Sequence, residues 1–242
     1  MFRRISAVVL DLDDTLIDTS GELIPAAHRE AAEAMVEAGL PASVQAVHDE
    51  RMRLQEERAN EDIDVLAAAA FGHPPDADAV EAGRSAYYGR ELDRLDPVPD
   101  AVPVLEHLAG ACTLLLMTTG DPDTQRRKVE LADLGRWFVE ALYLPLSAAD
   151  KRRGLSDLLE RHGLKPARVV VVGDRIDREI AAGNALGTWT VRVEAGEGGA
   201  LRAADPGERA HFAIPGIGDL PRVLDQIDAS ETDPDDFLDP KG

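Results

Sequence analysis

The sequence predicts a doubly wound α/β fold, in which helices cover both faces of a parallel β-sheet and an all-helical domain is inserted near the start of the chain. From residue 96 onward, short apolar runs rich in β-branched residues alternate with helical patterns, which is typical of buried parallel strands joined by crossover helices. Between residues 18 and 95 the apolar spacing is helical throughout. At 242 residues the chain is long enough for one large or two modest domains.

The elements follow from these patterns in chain order. An apolar run predicts the first strand over residues 5–10. Helical spacing, interrupted by glycine and proline, then predicts helices over 22–40, 42–58, 61–71 and 76–92. After that, helices are predicted over 101–108, 123–134, 152–162, 177–186 and 220–227, between strands over 112–117, 139–144, 169–172 and 188–193.

These elements suggest domain boundaries. We expect an α/β core formed by residues 1–17 and 96–228, and a separate helical domain formed by residues 18–95. Residues 229–242 are acidic and contain proline, so a disordered tail is expected there.

The chain is strongly acidic, with a formal net charge of −20 and a sequence pI near 4.6. Such a charge disfavours binding to nucleic acid or to an anionic membrane. No apolar run approaches the roughly 20 residues that a membrane span needs, and no signal-peptide pattern precedes the first strand. We therefore expect a soluble, cytoplasmic protein that binds neither nucleic acid nor a membrane.

Two aspartates directly follow the first strand, at positions 11 and 13. Side chains alternate along a strand, so both are expected on the same side. Two like charges that close raise each other's pKa unless a cation lies between them. Oxygen-only ligands favour Mg²⁺. A solvated turn is the alternative, because Asp-Asp-Thr also suits turns and helix caps.

Further polar residues follow the other predicted strands. Thr118, Thr119 and Gly120 come after the second strand, Lys151 follows the third, and Asp174 follows the fourth. Ligands of an open parallel sheet bind beyond the carboxyl ends of its strands. We therefore expect these residues to share one site with Asp11.

With these motifs, the chain resembles the haloacid dehalogenase-like (HAD) hydrolase superfamily, of the phosphatase type. The resemblance rests on Asp11-Leu12-Asp13-Asp14-Thr15-Leu16, on Thr118, on Lys151, and on Gly173-Asp174 followed by an acid. It covers residues 5 to about 227 and implies a Rossmann-like core with a helical cap, here residues 18–95.

The resemblance implies a role for each of these residues. Asp11 is expected to attack phosphorus and form an aspartyl-phosphate, and Asp13 to act as general acid and base. Mg²⁺ is expected on Asp11, on Asp174 and on the main-chain carbonyl of Asp13. Thr118 and the turn formed by Thr119 and Gly120 are expected to bind the phosphoryl group, with Lys151 pairing with both the nucleophile and the phosphate.

The chain also departs from the family pattern. The last acid of the fourth motif is Glu179 rather than aspartate, and Asp177 is a possible substitute for it as the partner of the metal site. Arg175 replaces a small residue, and either touches substrate or forms a surface ion pair. Gln125 and Lys128 resemble a recurring position in the family, but a solvent-exposed helix face is the interpretation we favour for them.

The expected reaction is hydrolysis of a small phosphorylated metabolite, as in phosphoglycolate phosphatase, by a monomer or a homodimer. A phosphomutase or a dehalogenase of the same superfamily is the alternative, as is a non-catalytic member that binds phosphate or a partner. The glycine-rich segment 196–199 lacks the lysine spacing of a phosphate-binding loop, so a flexible loop is expected there.

Overall fold

The chain forms two compact units in the computed structural model, which describes all residues except 1, 3, 59–60, 75–77, 91–92, 146–150, 235–236 and 238–242. Met1–Asp18 together with Asp93–Gly242 form the first, here called the sheet unit. Thr19–Leu92 form the second, here called the helical unit.

The helical unit consists of four α-helices: α1 (Ile24–Glu37), α2 (Val44–Arg58), α3 (Ile63–Ala70) and α4 (Asp78–Tyr88). Their buried faces share an apolar core that includes Met35, Leu54, Ala67 and Val80. No strand is assigned among the described residues of this unit. Each helix lies within the range predicted from the sequence, although residues 59–60, 75–77 and 91–92 are outside the described part of the chain. A role of this unit as a cap stays a prediction.

The sheet unit contains six parallel strands in the order β3-β2-β1-β4-β5-β6. They are β1 (Ala7–Leu10), β2 (Thr113–Thr119), β3 (Glu140–Leu144), β4 (Val169–Gly173), β5 (Trp189–Val193) and β6 (Phe212–Ile214). The prediction of a doubly wound parallel sheet is confirmed. The strand β6 was not predicted, because three residues are too few for a recognisable pattern.

Helices join these strands: α5 (Ala101–Ala109), α6 (Pro122–Leu131), α7 (Lys151–Arg161), α8 (Ala181–Ala185) and α9 (Leu220–Ala229). Val9 of β1 and Val171 of β4 pack against Leu155 and Leu158 of α7. The neighbouring residues Val8 and Val170, whose side chains alternate to the other face, are also completely buried. Burial on both faces explains why the strands read as continuous apolar runs.

The two central strands, β1 and β4, are adjacent although most of the chain's other elements lie between them in sequence. Connections from β1 proceed to one side through β2 and β3, whereas connections from β4 proceed to the other through β5 and β6. This is the point at which the strand order reverses, and ligands of such sheets bind there.

Part of the C-terminal segment is packed against the sheet unit, which corrects the prediction of disorder for these residues. The Nε2–H of His211 donates to the carbonyl of Pro234 at 3.0 Å, and the rings of Phe237 and Trp189 lie 5.4 Å apart. Phe237 is 39% exposed, but its ring contact with the buried Trp189 is an interaction that the acidic composition of the segment did not suggest. Residues 235–236 and 238–242 of the predicted tail lie outside the described residues.

Among the helices of the described ranges, none has both the length and the apolar character needed to cross a membrane.

Candidate active site

Asp11 lies where β1 meets β4, at the carboxyl end of the sheet. Its backbone N–H donates to the carbonyl of Val172 at 2.9 Å, which places it at the strand end rather than in a solvated turn. The chain then turns sharply through Asp14, whose φ of 55° is in the left-handed region. The Asp11 side chain is buried, so its carboxylate requires compensation by a nearby cation or donor.

Lys151, the first residue of α7, provides one such cation. Its Nζ donates to Asp11 Oδ1 at 2.5 Å, to Met117 O at 2.8 Å, and lies 2.7 Å from Glu179 Oε1. Burial lowers the pKa of Lys151, but the two carboxylates outweigh it and raise the pKa to about 12. The ammonium group is therefore charged, and its three donors are fully used.

Asp11, Asp174 and Glu179 form a cluster in which carboxylate oxygens, one from each, lie within 4.8 Å of one another. Burial raises the pKa of Asp174 to about 7, and the charges of Glu179 and Asp14 add to this shift. Burial likewise holds the pKa of Asp11 well above its ordinary value, against the opposing effect of Lys151. With all three carboxyl groups ionised, the cluster holds three negative charges against one ammonium group.

The chemistry of this cluster fits a hard divalent cation. All its donors are carboxylate oxygens, which suit Mg²⁺. Glu179 Oε2 is buried and has no hydrogen-bond partner within the described part of the chain, and leaving such an oxygen unsatisfied is costly. A Cβ at Gly173 would approach Glu179 Cγ to 2.6 Å, so glycine at the end of β4 lets this side chain reach the cluster.

Of the two acidic residues considered for the fourth motif, Glu179 lies in the cluster and Asp177 does not. Asp177 is exposed and accepts from Arg175, with Nε to Oδ1 at 2.9 Å and Nη2 to Oδ2 at 3.0 Å. Arg175 thus forms the local ion pair that was one of its two predicted interpretations. Hydrogen bonding to Arg175 lowers the pKa of Asp177.

Two residues of α6 contact Asp13, and the interpretation of both as a solvent-exposed face was wrong. Gln125 is buried, with Nε2 2.7 Å from Asp13 Oδ2 and 2.6 Å from Thr118 Oγ1. Lys128 Nζ donates to Asp13 Oδ1 at 2.6 Å. The helical spacing contained a partial signal for Gln125 alone, which lies four residues before the buried Val129 on the same face of α6.

The turn after β2 is only partly as predicted. Thr118 is buried beside Gln125, and because its Oγ1 accepts from that amide, its own hydroxyl hydrogen is left to donate. The N–H of Gly120 donates to Leu144 O at 2.9 Å and is therefore used within the fold. The carbonyl of Thr119 lies 3.3 Å from Gln125 Nε2.

The glycine-rich segment 196–199 is held against the acidic cluster, whereas the sequence suggested a flexible loop. The N–H of Gly198 donates to Asp174 Oδ2 at 3.2 Å, and a Cβ at this position would come within 2.3 Å of that oxygen. The buried Arg192 of β5 donates from Nη2 to the carbonyls of Gly198, Gly199 and Leu201. An arginine within a buried strand was the sequence signal for this anchor.

The site therefore combines a carboxylate held by an ammonium group, a second carboxylate held by Lys128 and Gln125, a buried hydroxyl, and an all-oxygen cluster with excess negative charge. A nucleophile, a proton donor and a divalent-cation site can all be supplied by this set. The predicted residues form two groups. Asp13 and Thr118 both contact Gln125, whereas Asp11 contacts Lys151 and belongs to the cluster with Asp174. The charge of Asp13 is close enough to raise the pKa of Asp11.

The family model described as haloacid dehalogenase-like hydrolase matches residues 5–187. The chain is 30% identical to a glyceraldehyde 3-phosphate phosphatase of Methanopyrus kandleri, over 91% of this chain and 95% of that protein. It is 27% identical to the N-acylneuraminate-9-phosphatase of Rattus norvegicus, over 93% and 96%. A hydrolase structure from Geobacter sulfurreducens superposes with a TM-score of 0.65 at 20% identity, covering 91% of this chain and 97% of that one.

Proposed function

Because the chain belongs to the haloacid dehalogenase-like hydrolases, we propose that it is a Mg²⁺-dependent phosphatase that uses Asp11 as its nucleophile. The observation that carries this proposal is the buried cluster of Asp11, Asp174 and Glu179, in which one ammonium group, that of Lys151, contacts two of the three carboxylates. A nucleophile alone would not require so much buried negative charge, whereas a cation site does.

In the first step, an Asp11 oxygen attacks phosphorus, and the bond between phosphorus and the ester oxygen breaks. Asp13 supplies a proton to the departing alkoxide, which leaves as an alcohol. In the second step, Asp13 takes a proton from water as that water attacks the aspartyl-phosphate. The products are inorganic phosphate and a regenerated Asp11 carboxylate.

The remaining residues position these two groups. Lys151 neutralises Asp11, so that an anionic nucleophile can approach an anionic phosphate. Lys128 and Gln125 hold the Asp13 carboxylate, and the Thr118 hydroxyl donates to a phosphoryl oxygen. Mg²⁺ would be held by Asp11, Asp174 and the Asp13 carbonyl, with Glu179 beside it, and would supply charge neutralisation of the phosphoryl oxygens.

We propose a small phosphorylated metabolite as the substrate. Relatives named for glyceraldehyde 3-phosphate and for a 9-phosphorylated acylneuraminate support this class, and phosphoglycolate belongs to it as well. The net charge of −20 supports a partner other than nucleic acid or an anionic membrane. A cytoplasmic location and a monomeric or homodimeric state stay predictions.

The test is hydrolysis of p-nitrophenyl phosphate with Mg²⁺, followed by a panel of phosphorylated metabolites that includes the three named above. Asp11→Asn is expected to lower turnover by roughly 10⁴-fold or more, as loss of a nucleophile does, with unchanged thermal unfolding. Asp177→Asn is the matched control, because it removes a carboxylate from the same motif that faces Arg175 instead, and it is expected to retain activity.

Beryllium fluoride with Mg²⁺ is expected to inhibit by occupying the position of the phosphoryl group on Asp11. Wild-type turnover in Asp11→Asn would refute the assignment of the nucleophile. Release of halide from 2-haloacids without Mg²⁺ would favour a dehalogenase, and transfer of phosphate between sugar positions would favour a phosphomutase.

A further inference from the structure

The helical unit contains a polar cavity of about 510 Å³ between α1, α2, α3 and α4. Its wall includes His28, Arg51, Gln55, Glu61 and Tyr87. All of these residues belong to the helical unit, and none belongs to the phosphatase site described above. The volume lies in the range of pockets that bind small organic ligands.

Two of the cavity's side chains are almost completely buried and have nitrogen atoms without a hydrogen-bond partner. Arg51 and His28 are each 1% exposed. Arg51 Nε has no hydrogen-bond partner among the described residues. The ring nitrogens of His28 have no partner of good geometry there, although the Gln55 side chain is close enough to interact with the ring. Arg51 Nε–H is a donor, whereas a neutral histidine ring has one donor and one acceptor nitrogen. Because buried polar groups left without partners are costly, these positions are expected to be filled by groups that can both accept and donate hydrogen bonds.

The charges around the cavity argue against an anion as the ligand. Arg51 is already paired with Asp64 at 2.7 Å, and Arg84 with Asp62 at 2.7 Å. With Glu61 added, the wall carries three carboxylates against two guanidinium groups. Burial, reinforced by the charge of Arg51 and opposed by Gln55, lowers the pKa of His28 to about 4, so its ring is neutral near pH 7.

Aromatic rings complete the wall. The Tyr87 ring lies 4.9 Å from the His28 ring, and the Tyr88 ring meets Tyr87 edge-on at 5.0 Å. Tyr88 is 77% exposed, although it is a large aromatic residue. Exposed aromatic faces contact the C–H groups of a ligand, while the adjacent polar groups exchange hydrogen bonds with it.

Donors, carboxylate acceptors and aromatic faces without excess positive charge suit a ligand that is neutral and rich in hydroxyl groups. We propose that this cavity binds a neutral polyhydroxylated compound of monosaccharide size. Its hydroxyl oxygens accept from Arg51 Nε and the His28 ring, its hydroxyl hydrogens are donated to Glu61, and one apolar face of the ligand lies against Tyr88. The proposal concerns the helical unit alone and does not depend on the phosphatase reaction.

The full-length protein is titrated with glucose, N-acetylglucosamine and glycerol, with acetate and inorganic phosphate as anionic probes. Binding is followed by NMR at the Arg51 Nε–H and the His28 ring, and by calorimetry. Saturable shifts of these two signals are expected with the sugars.

Two variants separate the contributions. His28→Phe keeps a ring of similar shape against Tyr87 but removes both nitrogens, and Tyr88→Ala removes an exposed ring with little risk to folding. Each is expected to weaken sugar binding about fivefold, the equivalent of one hydrogen bond or aromatic contact. Val139→Ala, which truncates a side chain of similar exposure in the sheet unit, is the control and is expected to bind as the wild type does.

If acetate or phosphate, and not the sugars, shifted the NMR signals of the Arg51 Nε–H and the His28 ring, the cavity would bind anions. The proposal of a neutral polyhydroxylated ligand would then be wrong. If none of the sugars shifted the NMR signals of the Arg51 Nε–H and the His28 ring, even at high concentration, water alone would satisfy these two side chains. The cavity would then not be a sugar-binding site. Unchanged sugar affinity in both variants would also overturn it.

Discussion

Both units of the protein bury an ion pair, but only one of them leaves charge in excess. In the helical unit, Arg51 Nη1 meets Asp64 Oδ1 at 2.7 Å, one cation for one anion. In the sheet unit, Lys151 is shared by Asp11 and Glu179, and Asp174 adds a further buried carboxylate within the same cluster.

A balanced buried pair is compatible with a purely structural role, since each charge satisfies the other. A surplus of buried charge destabilises the fold unless something binds to it, and for that reason it indicates a site. The comparison separates the two units by chemistry. A cation site is expected in the sheet unit, whereas the unsatisfied nitrogen atoms of Arg51 and His28 in the helical unit indicate a hydrogen-bonding ligand.

The largest expected effect comes from removing the cation of each pair. Lys151→Met leaves Asp11 and Glu179 without compensation, and Arg51→Met leaves Asp64 alone. Each is expected to lower the free energy of unfolding by about 3–5 kcal/mol, measured by urea denaturation in the presence of EDTA. Lys151→Met is also expected to lower kcat by roughly 10²–10³-fold.

The comparison predicts that Mg²⁺ distinguishes these two variants. Added Mg²⁺ is expected to restore part of the stability lost in Lys151→Met, because a divalent cation can replace the missing positive charge, but none of that lost in Arg51→Met. Equal recovery of both variants with Mg²⁺ would contradict the assignment of the cation site to the sheet unit.

Next in size is the removal of one surplus carboxylate. The pKa of Asp174 is about 7 in the folded protein and ordinary in the unfolded chain, so the folded state binds more protons between those values, and stability falls as pH rises through that window. Asp174→Asn is therefore expected to stabilise the metal-free protein by about 2–3 kcal/mol at pH 8. It is also expected to abolish stabilisation by Mg²⁺.

Asp177→Asn is expected to change the free energy of unfolding in the opposite direction. The pKa of Asp177 is lowered by Arg175, so loss of this carboxylate is expected to destabilise slightly, within the range of about 0–1 kcal/mol for exposed pairs. Urea denaturation at pH 8 with and without Mg²⁺ measures both variants. If Asp174→Asn destabilised the metal-free protein, the inference that the acidic cluster holds more negative charge than Lys151 compensates would be wrong.

A pH effect of intermediate size is expected in the helical unit. The pKa of His28 is lowered to about 4, so between pH 6.5 and 4 the unfolded chain binds the proton more readily, and stability is lost as the pH falls. With allowance for screening by solvent, about 2 kcal/mol is expected to be lost over this window. His28→Phe is expected to remove that dependence, whereas His73→Phe, which changes a half-buried histidine of the same unit, is expected to keep it.

The sequence predicted the elements whose burial is uniform and missed the contacts that depend on packing. Continuous valine runs predicted β4 within one residue of its observed end, because a strand buried on both faces must be apolar throughout. Asp11, Lys151 and Asp174 could be predicted to meet, because parallel strands end at the same edge.

Gln125 and Lys128 could not be placed in the same way. Both residue types are common on exposed helix faces, and only the packing of α6 beside β2 brings them to Asp13. The choice between Glu179 and Asp177 likewise depended on the single π turn over Ile176–Ile180, which a helical pattern does not specify.

The last expected effect concerns Mg²⁺ affinity and how the loop that contains Gly198 positions the Asp174 carboxylate. Gly198 donates to Asp174 Oδ2, and its carbonyl accepts from Arg192, so the segment connects a buried arginine to a proposed metal ligand. Gly198→Ala places a Cβ against Asp174 and is expected to weaken Mg²⁺ binding about tenfold, as changes behind a metal ligand do. Gly216→Ala, where a Cβ has open space, is the control. The Mg²⁺ affinity of both variants is measured by calorimetric titration. Equal affinities would show that the loop does not influence how Asp174 binds the metal. In that case the acidic cluster alone would determine the metal affinity of the sheet unit.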